Sequence, residues 1–298
     1  MSDEVLLSVK DGWVYYDGKN GKFPAVKGAT FDVAPGEHVA VVGESGSGKT
    51  TLALAIAGLL TAIGASYEFG EFIYDGDHLD RTEITPIPRR TPGMSMVFQN
   101  AMTSLDPVAT IGSQFIDVMR GLSRVGRREA KSRAAKWLND VGLKDADRIL
   151  KLRPYELSGG MRQRVMLALA MCSEPKLLIA DEPTSALDAP VSRDVMDLLR
   201  SMTERTGSSL LIVTHDIELA RIYVDKVIVM YHGEIVDICS ACRIAEEATH
   251  PYTLALTECV PTIESAKLDR MPTLDDTMLA SQLSGSASED RVGNAVSA

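Results

Sequence analysis

The eight residues from Gly43 to Thr50 read G-E-S-G-S-G-K-T and satisfy the phosphate-loop pattern G-x-x-x-x-G-K-[ST] at every fixed position. Gly43, Gly46 and Gly48 remove side chains where the backbone must turn tightly and approach phosphate, so that successive N–H groups and a helix N-terminus face an anion. Lys49 is suited to neutralise the β- and γ-phosphates of a nucleoside triphosphate such as ATP, and Thr50 to offer its hydroxyl to Mg²⁺. The expected nucleotide contacts are therefore Gly43, Glu44, Ser45, Gly46, Ser47, Gly48, Lys49, Thr50 and Thr51.

Three apolar runs further along deliver polar side chains from their ends. Leu177-Leu178-Ile179-Ala180 leads to Asp181, placed to ligate Mg²⁺ directly or through water, and to Glu182, placed to polarise an attacking water as general base. Ser209 to Thr214 ends at His215, which is positioned to hydrogen-bond a γ-phosphate. Met94 to Phe98 ends at Gln99, whose amide oxygen can reach Mg²⁺ or a water. A second anion-binding helix start lies at Leu157-Ser158-Gly159-Gly160. Ser158 can cap a helix that runs to about Cys172, and the two glycines leave its first N–H groups bare. One triphosphate rarely needs two such starts, so this one is free to serve a nucleotide held by another subunit.

These residues need a sheet that brings strand ends together. His38 to Val42 reads as the buried parallel strand that feeds the phosphate loop, and Thr51 to Ala57 as the helix that follows it. Upstream, Val5 to Tyr16 and Phe23 to Val33 form a hairpin around Asp17–Gly21. Tyr16, just before that turn, either stacks on adenine or packs in the small sheet. Glu71 to Tyr74 with Asp75-Gly76 gives another strand and turn, and Thr82 to Pro92 a surface connection. From about Asn100 the pattern is helical, clearest over Arg127 to Asn139, where Ala130, Ala134, Trp137 and Leu138 form an apolar stripe. Val191 to Thr206 reads as a covering helix and Ser185-Ala186-Leu187-Asp188 as the loop before it. Val227–Tyr231 and Glu234–Ile238 form a terminal hairpin, and His250-Pro251-Tyr252-Thr253 precedes a short helix. The Ser- and Gly-rich stretch 281–298 predicts a disordered tail. The expected fold is α/β: a phosphate-loop core with a mostly parallel sheet, an antiparallel β subdomain and a helical insert.

Composition narrows the function. The net charge of −10 over 298 residues, with no clustered positive face, argues against a nucleic-acid partner. The apolar run Val165 to Cys172 is far shorter than a membrane span, and Met1-Ser2-Asp3-Glu4 does not begin a secretory signal. Four cysteines suit a reduced compartment. Cys239 and Cys242 make one C-x-x-C, with His250 and Cys259 nearby; this is too little for a metal centre, and neither zinc nor an iron–sulfur cluster is expected.

Taken in order, G-E-S-G-S-G-K-T, Gln99, L-S-G-G-M-R-Q-R, L-L-I-A-D-E-P, S-A-L-D and His215 resemble the nucleotide-binding subunits of ATP-binding cassette transporters from Val5 to Ile238. The resemblance implies a head-to-tail dimer in which the phosphate loop of one subunit and the signature Ser158, Gly159 and Gly160 of the other enclose each ATP, with Asp188 also at the nucleotide. V-G-E-S-G-S-G-K-T, the stretch Val97 to Pro107 and H-P-Y-T look like the oligopeptide and dipeptide importer branch. That branch implies an ATPase at the cytoplasmic face of the cell membrane. It would work beside a second, usually non-identical ATPase under two transmembrane permease subunits, served indirectly by an extracytoplasmic solute-binding protein. The implied domains are an ATPase domain at 1–237, containing the helical subdomain at about 100–172, a C-terminal extension at 238–280 and the tail. The sequence departs from the branch where Asn100-Ala101 replaces an acidic residue and proline, and where a Cys-rich segment after H-P-Y-T is missing. The other readings are an exporter ATPase and a cassette ATPase that remodels DNA or ribosomes. The last two expect, respectively, a long coiled coil between loop and signature and a second cassette, and this chain has neither.

Overall fold

The structure is a computed structural model that describes residues 5–18, 21–60, 65–79, 91–99, 104–122, 125–185 and 187–258. The connection expected at Thr82 to Pro92, apart from its last two residues, as well as Asn100-Ala101, Cys259 and the expected tail, lie outside the described residues.

Alternating apolar residues build an antiparallel hairpin of β1 (Leu7–Gly18) and β2 (Gly21–Val33), with Leu7 opposite Val33 and Tyr16 opposite Phe23. After a turn closed by Glu37 N–H on Ala34 O at 3.1 Å comes β3 (His38–Val42), buried at all five positions. The phosphate loop then opens α1 (Lys49–Ala57), which Gly58 ends in the left-handed conformation at φ 71°. β4 (Ala65–Tyr74) returns antiparallel to β1 and turns into the short β5 (Asp77–His78), giving a four-stranded sheet in the order β2-β1-β4-β5. β6 (Met94–Val97) precedes, among the described residues, the α-helices α2 (Ile111–Leu122), α3 (Arg127–Asp140), α4 (Ala146–Ile149) and α5 (Gly159–Met171). The chain then alternates through β7 (Leu177–Asp181), α6 (Ala189–Thr206), β8 (Ser209–Thr214), α7 (Ile217–Tyr223) and β9 (Lys226–Tyr231). It closes with β10 (Glu234–Ser240), α8 (Ile244–Glu247) and α9 (Pro251–Glu258).

The second sheet has six strands in the order β10-β9-β3-β8-β7-β6, parallel except for β10. Both of its faces are covered, which is why β3, β7 and β8 read as unbroken apolar runs. The period of two still decides which core each residue joins. Val39, Val41, Ile179 and Val213 pack with α1 and the small sheet, whereas Ala40, Val42, Ala180 and Ile212 pack with the helices on the other side. The α/β fold read from the sequence is the fold observed, and the stripe of Ala130, Ala134, Trp137 and Leu138 on α3 is buried.

Several boundaries differ, among them the start of β4, which lies at Ala65 and not at Glu71. Phe98 is expected inside a buried strand, but β6 stops at Val97 and Phe98 is 41% exposed. The last strand, expected to end at Ile238, is longer: a bulge between Ile235 and Asp237 breaks the alternation, yet pairing resumes and continues to Ser240 opposite Lys226. The motif expected to precede the last helix is its first turn, because Pro251 costs no hydrogen bond at that position.

Candidate active site

The parallel register sets the site. Val42 of β3 pairs with Thr214 of β8, and Asp181 of β7 with Val213 of β8, so Gly43, His215 and Glu182 leave the sheet in one row. Val97 of β6 pairs with Ala180 of β7, and Gln99 follows two residues later. The carboxyl ends of the strands thus frame a crevice of about 700 Å³. Its walls include Glu44, Ser45, Gly46, Gly48, Lys49, Thr50, Thr51, Gln99, Glu182 and His215, joined by Ala25 and Ser185.

The phosphate loop is shaped from behind by main chain. A Cβ on Gly43 would lie 2.2 Å from Met230 O, and one on Gly48, at φ 98°, 2.4 Å from Ala25 O. Gly233 N–H donates to Ser47 O at 3.1 Å, so the β9–β10 turn braces the loop as well. Lys49 is buried and donates through Nζ to Gly43 O at 2.8 Å and Glu44 O at 2.7 Å. Burial holds its ammonium below the usual lysine range, opposed by the carboxylates of Glu182, Asp181 and Glu44. A polyanion beside it favours its charged form. Among the described residues no acceptor faces the N–H groups of Gly46, Gly48, Lys49 or Thr50, which leaves them for an anion.

Thr50 Oγ1 donates to Asp181 Oδ1 at 2.9 Å. Asp181 is buried, which raises its carboxyl above the usual range against the pull of that hydrogen bond. The Thr50 hydroxyl and the Gln99 amide line the crevice and the Asp181 carboxylate lies behind Thr50; all three carry oxygen donors of the kind a hard divalent cation takes.

Glu182 sits one residue beyond the strand at φ 47°, a conformation that costs a side-chain-bearing residue about 1–3 kcal/mol. Its turn is held by Glu182 N–H on Val213 O at 2.9 Å and by the buried Gln163 amide of α5, which donates to Pro183 O. The strained turn aims the carboxylate at His215, whose Nδ1 lies 2.9 and 3.0 Å from the two Glu182 oxygens.

The remaining expected residues divide. Tyr16 is half-buried in β1 with its hydroxyl 3.3 Å from Thr51 Oγ1, beside the loop. Ser158, Gly159 and Gly160 are exposed and outside the crevice, with Ser158 Oγ accepting from Met161 N–H at 3.3 Å as the cap of α5. Asp188 caps α6 through Val191 N–H at 3.1 Å and is not a crevice residue. Two residues given no chemical task by the sequence reading touch the site's frame, Gln163 at the Glu182 turn and Tyr252 at the loop. Both lie inside motifs singled out for their resemblance, and that was their only signal.

Residues 26–185 match the family described as ABC transporter. The chain is 40% identical to the oligopeptide transport ATP-binding protein AppD of Bacillus subtilis (strain 168), over 89% of this chain and 81% of that one. It is 36% identical to the dipeptide transport ATP-binding protein DppD of Lactococcus lactis subsp. cremoris, over 93% of this chain and 79% of that one. Among solved structures it resembles cbiO1 from Clostridium perfringens, part of the ABC transporter complex cbiONQ, at TM-score 0.64 and 28% identity over 82% of this chain and 92% of the other. A dimeric post-hydrolysis state of the ATP-binding cassette MJ0796 with ADP and Pi gives the same score and identity, covering 79% and 98%.

Proposed function

The chain belongs to the ABC transporter family, and on that premise we propose that it is the ATP-hydrolysing subunit that powers import of peptides or a related small solute through a membrane permease. The observation that carries the hydrolytic part is the Glu182–His215 pair, 2.9 Å apart on the wall of the crevice that the phosphate loop also lines. The peptide branch rests on the relatives, whose names record oligopeptide and dipeptide transport.

In this reading the N–H groups of Gly46, Gly48, Lys49 and Thr50 and the Lys49 ammonium hold the phosphates. Glu182 accepts a proton from the water that attacks the γ-phosphorus as the bond to the bridging oxygen breaks, giving ADP and phosphate. His215 keeps the carboxylate in orientation through one ring nitrogen and has the other for a γ-phosphate oxygen. Thr50, Asp181 and Gln99 would hold Mg²⁺, which would supply positive charge to offset that of the phosphates. Tyr16, whose hydroxyl is 3.3 Å from Thr51 Oγ1 beside the loop, would stack on the adenine. The exposed Ser158, Gly159 and Gly160, with Asp188, would close over the ATP of a second cassette subunit, non-identical as in the peptide branch.

Among the described residues no helix is long and apolar enough to cross a membrane, which suits a peripheral subunit at the cytoplasmic face beneath two permease subunits. The solute-binding protein would then act indirectly, outside the membrane. The ATPase domain would run from the N-terminus through β10, with a C-terminal extension beyond it.

The test is Glu182→Gln, purified from gently solubilised native membranes. It should bring two permeases and a second cassette subunit with it, bind ATP, and turn over about 100- to 10,000-fold more slowly. Undiminished turnover means another base; recovery with ribosomal proteins or nucleic acid removes the transport reading.

A further inference from the structure

Tyr252, in the first turn of α9, is completely buried, and its hydroxyl accepts the Glu44 N–H of the phosphate loop at 2.9 Å across 208 residues of sequence. The same Glu44 is gripped from its other side. Its carbonyl accepts Lys49 Nζ at 2.7 Å and Ser47 N–H at 3.2 Å. Tyr252, the Glu44 residue and the Lys49 ammonium are thus linked by two successive hydrogen bonds across one residue. Of the loop's N–H groups, Glu44's is committed to the phenol, while those of Gly46, Gly48, Lys49 and Thr50 face no acceptor among the described residues. The phenol therefore holds a point of the loop that does not compete for phosphate.

The tyrosine is itself anchored from the sheet. Its ring stacks on Tyr231 at the end of β9, with centroids 4.3 Å apart and planes 25° from parallel. Asp237 of β10 accepts Thr249 Oγ1 at 2.7 Å and His250 N–H at 3.0 Å, and His250 Nδ1 accepts Tyr252 N–H at 3.2 Å. Burial works to raise the Asp237 carboxyl, but the hydroxyls of Thr253 and Thr249 with the N–H groups of His250 and Thr249 outweigh it and hold it below the usual range, so it is an anion at neutral pH. Burial pushes the Tyr252 phenol up to about 12, which keeps it neutral.

We propose that Tyr252 is a positioning residue for the phosphate loop. It fixes the Glu44 peptide that in turn holds Lys49, so the segment Glu234–Glu258 sets the affinity for ATP although none of it lines the crevice. The proposal rests on the reading of that loop as the ATP site. A phenol that merely fills core space would contribute to stability and leave nucleotide affinity alone.

The experiment compares wild type, Tyr252→Phe and Tyr231→Phe in the full chain. Tyr231→Phe is the matched control, because the Tyr231 hydroxyl makes no hydrogen bond among the described residues. Amide hydrogen exchange at Glu44 is followed without nucleotide, ATP affinity by titration with a fluorescent ATP analogue, and KM and kcat by phosphate release. Tyr252→Phe is expected to speed Glu44 exchange about tenfold or more. It should raise the dissociation constant and KM by about three- to tenfold, the worth of one hydrogen bond, with kcat within about twofold. Tyr231→Phe should move none of these. Asp237→Asn, which loosens the start of α9 and leaves the phenol intact, should shift affinity in the same direction by less. Unchanged Glu44 exchange with unchanged KM in Tyr252→Phe overturns the proposal, as does equal weakening by Tyr231→Phe. Wild-type chain that binds no ATP overturns the reading of the loop instead.

Discussion

The chain has two glycine-rich helix starts, and they are built in opposite ways. At the phosphate loop the glycines are dictated from within: a Cβ at Gly43 or Gly48 would run into the main-chain oxygens of Met230 and Ala25 at 2.2 and 2.4 Å, and Gly48 has φ 98°. At the start of α5 the chain makes no such demand. Gly159 and Gly160 are exposed, have no atom within 4 Å of an added Cβ, and do not adopt positive φ. Alanine would suit a helix there better than glycine. A residue that the fold neither needs nor benefits from points to a constraint outside the chain, and the proposed closure over a phosphate held by a second subunit would supply one.

The contrast can be broken by substituting one glycine from each site. Gly48→Ala should be the most damaging change. The methyl group meets a backbone oxygen and forces an unfavourable conformation, for a loss of about 2–4 kcal/mol in thermal or urea unfolding and no measurable ATP binding. Gly160→Ala should act the other way on stability, raising it by up to about 1 kcal/mol. ATP affinity of the isolated chain should stay as it was, while turnover in the assembled pair drops about tenfold or more as the main chain loses its close approach to phosphate. If Gly160→Ala lowers stability, or leaves turnover in the pair untouched, the inference from unneeded glycines fails.

The same contrast marks what could be read from the sequence. The phosphate loop was legible because strand, loop and helix are contiguous, with the glycines, Lys49 and Thr50 at fixed spacing. Glu182 and His215 were legible as the ends of apolar runs, but the register that aligns them, Val42 with Thr214 and Asp181 with Val213, is a property of the assembled sheet. Two contacts had no local pattern at all. Gln163 looks like one more polar residue in a helix start, and only the packing of α5 against β6 and the neighbouring helices turns its amide onto Pro183 O. Tyr252 meets Glu44 across almost the whole chain. Asp237 likewise gave no local sign of its role: it lies inside β10, buried and accepting from Thr249 and His250.

Ser158 gives the smallest effect and the sharpest distinction, because capping and anion binding predict opposite signs for one substitution. Its hydroxyl accepts Met161 N–H at 3.3 Å from an exposed position, a bond whose removal in Ser158→Ala should cost about 0.5–1 kcal/mol of helix stability. If capping is its whole task, Ser158→Asp should be neutral or slightly stabilising, since aspartate caps as well as serine and its charge favours the positive end of the α5 dipole. If the start of α5 also faces the γ-phosphate of a partner-held ATP, the same carboxylate sets like charge against like. Turnover of the assembled pair should then collapse while the melting temperature holds or rises. Unfolding curves and phosphate release measured on Ser158→Asp and Ser158→Ala side by side separate the two. A stable aspartate variant that hydrolyses ATP at the wild-type rate would leave α5 with a cap and nothing more.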